Sequence, residues 1–534
     1  MFKRNLNYVK NIALPALIFS FIAGTLTGAF IVIYRLVAGK VINLSESVYS
    51  VVRNKPVLVI PAVLVLGAMA AILAYVYKQT PNLKGGGIPT AIGILRGGIR
   101  FNWLKNLVGV TLASLSTFFV GVPLGSEGPS VQIGTAIGRG TVKTLAKKNQ
   151  AWDRYVMTGG ACAGFTAATN APIAGIMFAI EEAHQRISPM IIMTAFSSVM
   201  FSSITVRELC GLLGMEADMF PGIGEFVKEL GTNQLGVIAI CSIVVGLMSV
   251  IFLRYFMVMR RFIGEKLSAM SLRLKIFIVF MLTFAFGLIS YDFISTGHDL
   301  VDSLLEGNVI WYIILAILLY RATMLLAANN TGINGGMFVP IIALSALVAS
   351  LVAKVTIGAG LIGSEYYSTI VVLGITAGIS GMMKCPLTAM VFSIEALGCS
   401  GNILPVILAA ALSYIVTEAL GAESINEEVV SGRIREINYG KAPKVIDTFV
   451  TVGRNTFAVG KQIRDIFWPQ NLFVLSVKHG ETAGAEVDSH GDNTLMEGDI
   501  LHVRYMTYDN SATKEELYAI VGEQKIESRR AVDV

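Results

Sequence analysis

Gly125-Ser126-Glu127-Gly128-Pro129-Ser130-Val131-Gln132-Ile133-Gly134 sets one carboxylate in a long charge-free stretch: nothing ionisable lies between Lys105 and Glu127, and the next charge is Arg139. A charge at the centre of a bilayer costs at least ~2.5–3.5 kcal/mol, so a carboxylate kept there is read as functional. Glycines flank Glu127 and a proline follows, which suits a helix start whose first N–H groups have no intrahelical partner. Such a start attracts anions. The protein would thus supply its own anion, Glu127, to a place where a solute anion could also sit.

The rest of the chain supports a membrane setting. Of 534 residues, 54% are hydrophobic and 15% charged, where soluble domains carry about 25% charge. Mean hydropathy is +0.66. Charge-free stretches recur at 11–34, 56–77, 107–126, 155–180, 187–206, 230–253, 322–353 and 396–417, and about 20 apolar residues suffice to cross a bilayer. The class expected is an all-α polytopic membrane protein. The first stretch is too long for a signal-peptide core and is read as a retained helix. Lys3, Arg4 and Lys10 precede it, so positive-inside bias places the N-terminus in the cytoplasm. The net charge of +6 is then a topology signal. No basic run interleaved with aromatics points to nucleic acid. The five cysteines form no CxxC pair and the five histidines no zinc spacing, so they read as ordinary residues and no metal is expected.

The chain is internally duplicated. Residues 160–181 and 374–395 match without a gap at seven positions, with Pro172 facing Pro386 and Glu181 facing Glu395 at one constant offset. Upstream, Gly125–Pro129 has a looser counterpart in Gly336–Pro340, at a slightly shorter offset. Gly/Pro-interrupted segments in matching places of two halves point to a transporter's binding site. Paired glycines such as Gly160 and Gly164 read as close helix packing. Composition changes near residue 421. Beyond it, 446–451, 472–477 and 500–505 alternate as strands and 514–521 suits a short amphipathic helix, a small α+β module.

Three motifs, in order, carry a family resemblance. Gly125-Ser126-Glu127-Gly128-Pro129 resembles the GxEGP signature of the CLC chloride channels and proton-coupled chloride exchangers. Lys84-Gly85-Gly86-Gly87-Ile88-Pro89 is similar to that family's GSGIP loop, and Gly335-Gly336-Met337-Phe338-Val339-Pro340 to its GIFAP loop. The resemblance implies a transport domain over residues 1–435, built of two inverted repeats (about 10–210 and 230–420) with broken helices, in each subunit of a homodimer. Residues 440–534 resemble the TrkA-C (RCK-C) type, through Val459–Asp465, Pro469 and Glu497-Gly498-Asp499. That implies a cytoplasmic regulatory domain, with cyclic di-AMP the first ligand to test, in a bacterial cell membrane.

The resemblance also implies roles. Glu127 would be the gating glutamate and Glu182, second of an EE pair, the internal proton glutamate; without the resemblance the pair reads as a solvated helix end. Anion-binding positions would be Gly86, Ser126, Gly128, Met337, Phe338 and Asn426. Substrates would be chloride and protons, with no cofactor. The chain departs from the pattern at three places: Gly86 replaces a serine, Asn426 stands where the pore tyrosine belongs, and Ser126 replaces an arginine often found before the gate. Gly86 offers no side-chain donor, while Asn426 keeps an amide. A weaker central site and looser proton coupling are expected. Chloride/proton exchange is the leading expectation, a passive chloride channel the alternative, and a fluoride/proton antiporter a third. Glu395 reads as structural. Gly85–Gly87 lacks the Lys-Ser/Thr of a nucleotide loop, no TVGYG cation filter is present, and no HExxH or GxSxG suggests an enzyme.

Overall fold

The structure, a computed structural model, describes residues 14–85, 87–145, 150–479, 486–523 and 531–532. Gly86 and the basic residues Lys3, Arg4 and Lys10 lie outside them. The first half comprises α1 (Leu14–Asn54), α2 (Val59–Gln79), α3 (Ile88–Leu95), α4 (Trp103–Val120), α5 (Glu127–Leu145), α6 (Asp153–Thr169), α7 (Pro172–Met177) and α8 (Pro189–Leu213). A π-helical turn, Phe178–Ala183, follows α7 directly. The second half repeats the series as α9 (Leu235–Arg261), α10 (Leu272–Ile289), α11 (His298–Leu305), α12 (Trp311–Thr331), α13 (Phe338–Gly358), α14 (Tyr367–Met383), α15 (Pro386–Ala396) and α16 (Ile403–Ala419). Among the described residues nine helical segments are long and apolar enough to cross a membrane.

The duplication is structural to the residue. The offset that sets Pro172 on Pro386 also sets Asp153 on Tyr367 and Thr169 on Met383, the first and last residues of α6 and α14. Each of these helices ends on a left-handed residue, Asn170 (φ 53°) and Lys384 (φ 60°), and a proline opens the next helix. The stretch 155–180, expected to span as one piece, is therefore broken at Asn170-Ala171. A residue preceding proline is pushed out of the helical region, so the turn falls there. Helix α5 begins at Glu127 itself, two residues before the expected proline start.

Within the first half, α5 and α6 pack through small residues. A Cβ on Gly134 would collide with the carbonyl of Gly160, and one on Gly160 with that of Gly134; Gly164 meets Ser130 and Gly138 meets Val156 in the same way. Backbone-to-backbone contact of α5 and α6 is what small-residue spacing accomplishes in membranes, where apolar burial alone gives no preference for helix over lipid.

Helix α17 (Ile425–Ile437) leads to a five-stranded antiparallel sheet. Its strands are β1 (Lys444–Thr451), β2 (Leu472–Lys478), β3 (Glu486–Asp488), β4 (Ile500–Thr507) and β5 (Ala531–Val532), in the order β3-β2-β4-β1-β5. Leu501, Val503 and Tyr505 alternate inward on β4, and α18 (Asn510–Val521) covers them with Leu517, Ile520 and Val521. This second core is a small α+β module, consistent with a regulatory domain.

Candidate functional site

The three sequence motifs converge. Gly125 and Gly336, repeat mates, form an antiparallel bridge: each amide donates to the other's carbonyl at 2.8 Å. Equivalent residues meeting antiparallel and reciprocally mark the axis that relates the inverted halves. Gly87 joins them, since a Cβ there would stand 3.0 Å from Gly128 Cα, and one on Gly128 would stand 2.7 Å from Gly336 Cα. At φ +95° Gly87 also needs its missing side chain. Buried amides brace the frame. Gln132 Oε1 accepts from Gly87 N at 2.8 Å while Gln132 Nε2 donates to Asn106 Oδ1 at 3.1 Å. Asn334 Nδ2 donates to Leu83 O at 2.8 Å.

Glu127 sits in this frame, 1% exposed, as the first residue of α5. Its Oε1 accepts from Ser126 Oγ at 2.9 Å. Its Oε2 is buried with no hydrogen-bond partner among the described residues, in the electrostatic neighbourhood of the Val339 amide at the start of α13. Two helix starts thus face one carboxylate. Met337 and Phe338 open α13 beside it: Met337 Sδ accepts from Asn329 Nδ2 at 3.1 Å, and the Phe338 ring is held edge-on between Phe165 and Phe392 at 5.3 and 5.0 Å.

Glu182, 6% exposed, lies on the π-helical turn, a rare geometry that recurs at functional sites. Asn426 Nδ2 donates to Glu182 Oε1. The structure therefore brings Asn426, expected at the anion, to the glutamate expected to carry the proton. Arg96, which sequence reasoning passed over, organises this place. It donates to the Glu182 and Ala183 carbonyls at 2.8 Å each and pairs with Glu427 at 2.7 Å. All three partners are remote in the chain, so no local pattern exposed it.

Glu181 points elsewhere. It accepts from Leu387 N and Thr388 N at 2.9 and 2.7 Å, capping α15, while Glu395 accepts from Ile173 N and Ala174 N at 2.9 Å each, capping α7. The repeat mates exchange caps across the axis, and both carboxylates serve the fold there.

The C-terminal module docks behind the Glu182 turn. Phe467 packs against Tyr155 at 4.3 Å and His184 at 4.5 Å, under the guanidinium of Arg186 at 4.4 Å. Tyr155 Oη donates to Asp465 O at 2.5 Å, and Arg154 donates to Trp468 O at 2.7 Å. Within the module, burial pushes the Lys461 ammonium down to about 8.

Buried carboxylates on broken helices, set about an internal two-fold axis, define a membrane transport protein rather than an enzyme. Residues 69–418 match the voltage gated chloride channel family, and the chain belongs to it. It is 27% identical over 442 residues to the H(+)/Cl(-) exchange transporter ClcA of Salmonella paratyphi B, covering 81% of this chain and 91% of that one. Its fold is similar to that of a slow cyanobacterial Cl-/H+ antiporter, at TM-score 0.72 and 22% identity, covering 79% of this chain and 99% of that one. It is also similar in fold to a CLC-type fluoride/proton antiporter, at TM-score 0.61 and 17% identity, covering 76% and 96%.

Proposed function

We propose that the chain exchanges chloride against protons across a bacterial cell membrane, with Glu127 as gate and Glu182 as the inner proton glutamate. The observation that carries this reading is the Glu127 carboxylate, buried at two helix starts with one oxygen unbonded among the described residues. Helix N-termini offer roughly +0.5 of a charge, enough to draw an anion without the tight hold of a fixed cation. Ionised, the carboxylate fills that place and closes the path. Protonated, it loses its attraction to the dipoles, releases the place to chloride and carries a proton.

The anion then meets the backbone amides at Ser126, Gly128, Met337 and Phe338, with Gly86 contributing no side chain. Asn426 acts through Glu182, holding its carboxylate. The exchanger is a homodimer with its N-terminus and residues 440–534 in the cytoplasm, and the module is a regulatory domain that takes a cyclic dinucleotide. Calorimetry of the full chain with cyclic di-AMP tests that ligand; no heat of binding would remove it.

The transport reading is tested in proteoliposomes under a chloride gradient alone. Uphill proton movement, lost in Glu127→Gln and in Glu182→Gln, with chloride flux surviving in the latter, is the expected result. Fast chloride flux without proton movement in wild type would make the protein a channel. Fluoride in place of chloride, in the same vesicles, tests the anion.

A further inference from the structure

A cavity of about 710 Å³ opens beside the last turns of α17, the end of α12 and the end of α9. Its charge is one-sided: Lys84, Arg260, Lys275 and Arg433 line it against one carboxylate, Glu436. Lys84 is engaged by Glu436 at 3.2 Å, and Arg260 by Glu428 at 3.6 Å. Arg433 is different. It donates to Thr90 Oγ1 and to Lys84 O, both neutral acceptors, and among the described residues no carboxylate pairs with it.

The place is built for these guanidinium groups. A Cβ on Gly85, at φ +47°, would collide with Arg433 Nη2, and a Cβ on Gly432 would collide with Arg260. Thr90 is buried in the first turn of α3, the helix whose N-cap Gly87 abuts Gly128. Arg433 therefore stands between the cavity and the frame that holds Glu127. A guanidinium has five N–H groups, and two neutral bonds leave most of them available to an anion.

We propose that Arg433 is a side-chain anion ligand at the cavity end of the pathway. This rests on the chain conducting a small inorganic anion such as chloride. An anion in the cavity bonds the free N–H groups of Arg433 and competes with Lys84 O and Thr90 Oγ1 for it. That competition keeps the hold weak enough for release. The surrounding Lys84, Arg260 and Lys275 raise the local anion concentration.

The experiment varies chloride on each side of oriented proteoliposomes and, separately, titrates purified full-length protein with chloride in a calorimeter. Arg433→Gln is expected to raise half-saturation roughly tenfold on the cavity side alone, the loss of one charge-assisted hydrogen bond, and Arg433→Lys to restore most of it. Thr90→Val removes a competitor and lowers half-saturation on that side, a sign that a merely structural staple would not give. Unchanged half-saturation in Arg433→Gln, or equal shifts on both sides, would overturn the proposal. Should wild type move no chloride while its calorimetric affinity still falls in Arg433→Gln, the exchange reading fails and the anion ligand stands.

Discussion

The two halves of the transport domain share a frame and differ at the residues proposed to act. Gly125 and Gly336 are mates and bond each other; Glu181 and Glu395 are mates and cap each other's helices. Yet the offset that pairs Gly125 with Gly336 pairs Glu127 with Phe338, and the one that pairs Glu181 with Glu395 pairs Glu182 with Ala396. What both halves keep holds the fold. What one half alone carries is free of the symmetry, and both proposed proton carriers fall in that class.

The sharpest way to break the comparison is to remove an unpaired residue and, separately, touch its mate. Glu182→Ala should lower proton flux on the order of a hundredfold, the scale of a lost proton-transfer group, whereas Ala396→Ser should leave it unchanged. Flux measured at one chloride gradient decides, and a loss in both would erase the distinction. Next in size, Gly160→Val forces a side chain between α6 and α5 and should destabilise by about 1–3 kcal/mol, read from denaturant unfolding in detergent. Smaller again, Glu181→Ala and Glu395→Ala should each cost about 1–2 kcal/mol as lost caps, with proton coupling intact. Clearly unequal costs would show that the mirror is only geometric.

A last effect, set by pH, belongs to the module, which has no mate. Lys461 is charged in both folded and unfolded chain below pH 8, so its burial penalty is full there. Above pH 8 the folded form sheds the proton first, while an unfolded lysine keeps it to about 10.4. Stability of the module should rise with pH across that window. Pulse proteolysis of the full chain should show the rise, and Lys461→Met should flatten it.

Much of the transport domain was legible because the membrane makes charge scarce. Glu127 stands out as a lone carboxylate, and the internal repeat survives because prolines and glycines at helix breaks tolerate few substitutes. The strands of the module were legible from alternation, as at Leu501, Val503 and Tyr505. Arg96 and Arg433 were not. Each finds a partner at the far end of the transport domain's sequence, Glu427 and Thr90 respectively, and no periodic pattern encodes such a pair. The docking of Phe467 on Tyr155 was hidden for the same reason, since the two rings lie far apart in the sequence.

The Gly125–Gly336 bridge bears on how the molecule moves. Two backbone hydrogen bonds of 2.8 Å tie the halves together beside Glu127, the proposed gate, and Gly128 is wedged against Gly87 and Gly336 on either side. A protein whose halves rocked apart would have to break that clasp on every cycle. With Glu127 as the proposed gate, the frame would be the stator and the side chains the rotors, so opening there would be a change of torsion angle rather than of architecture.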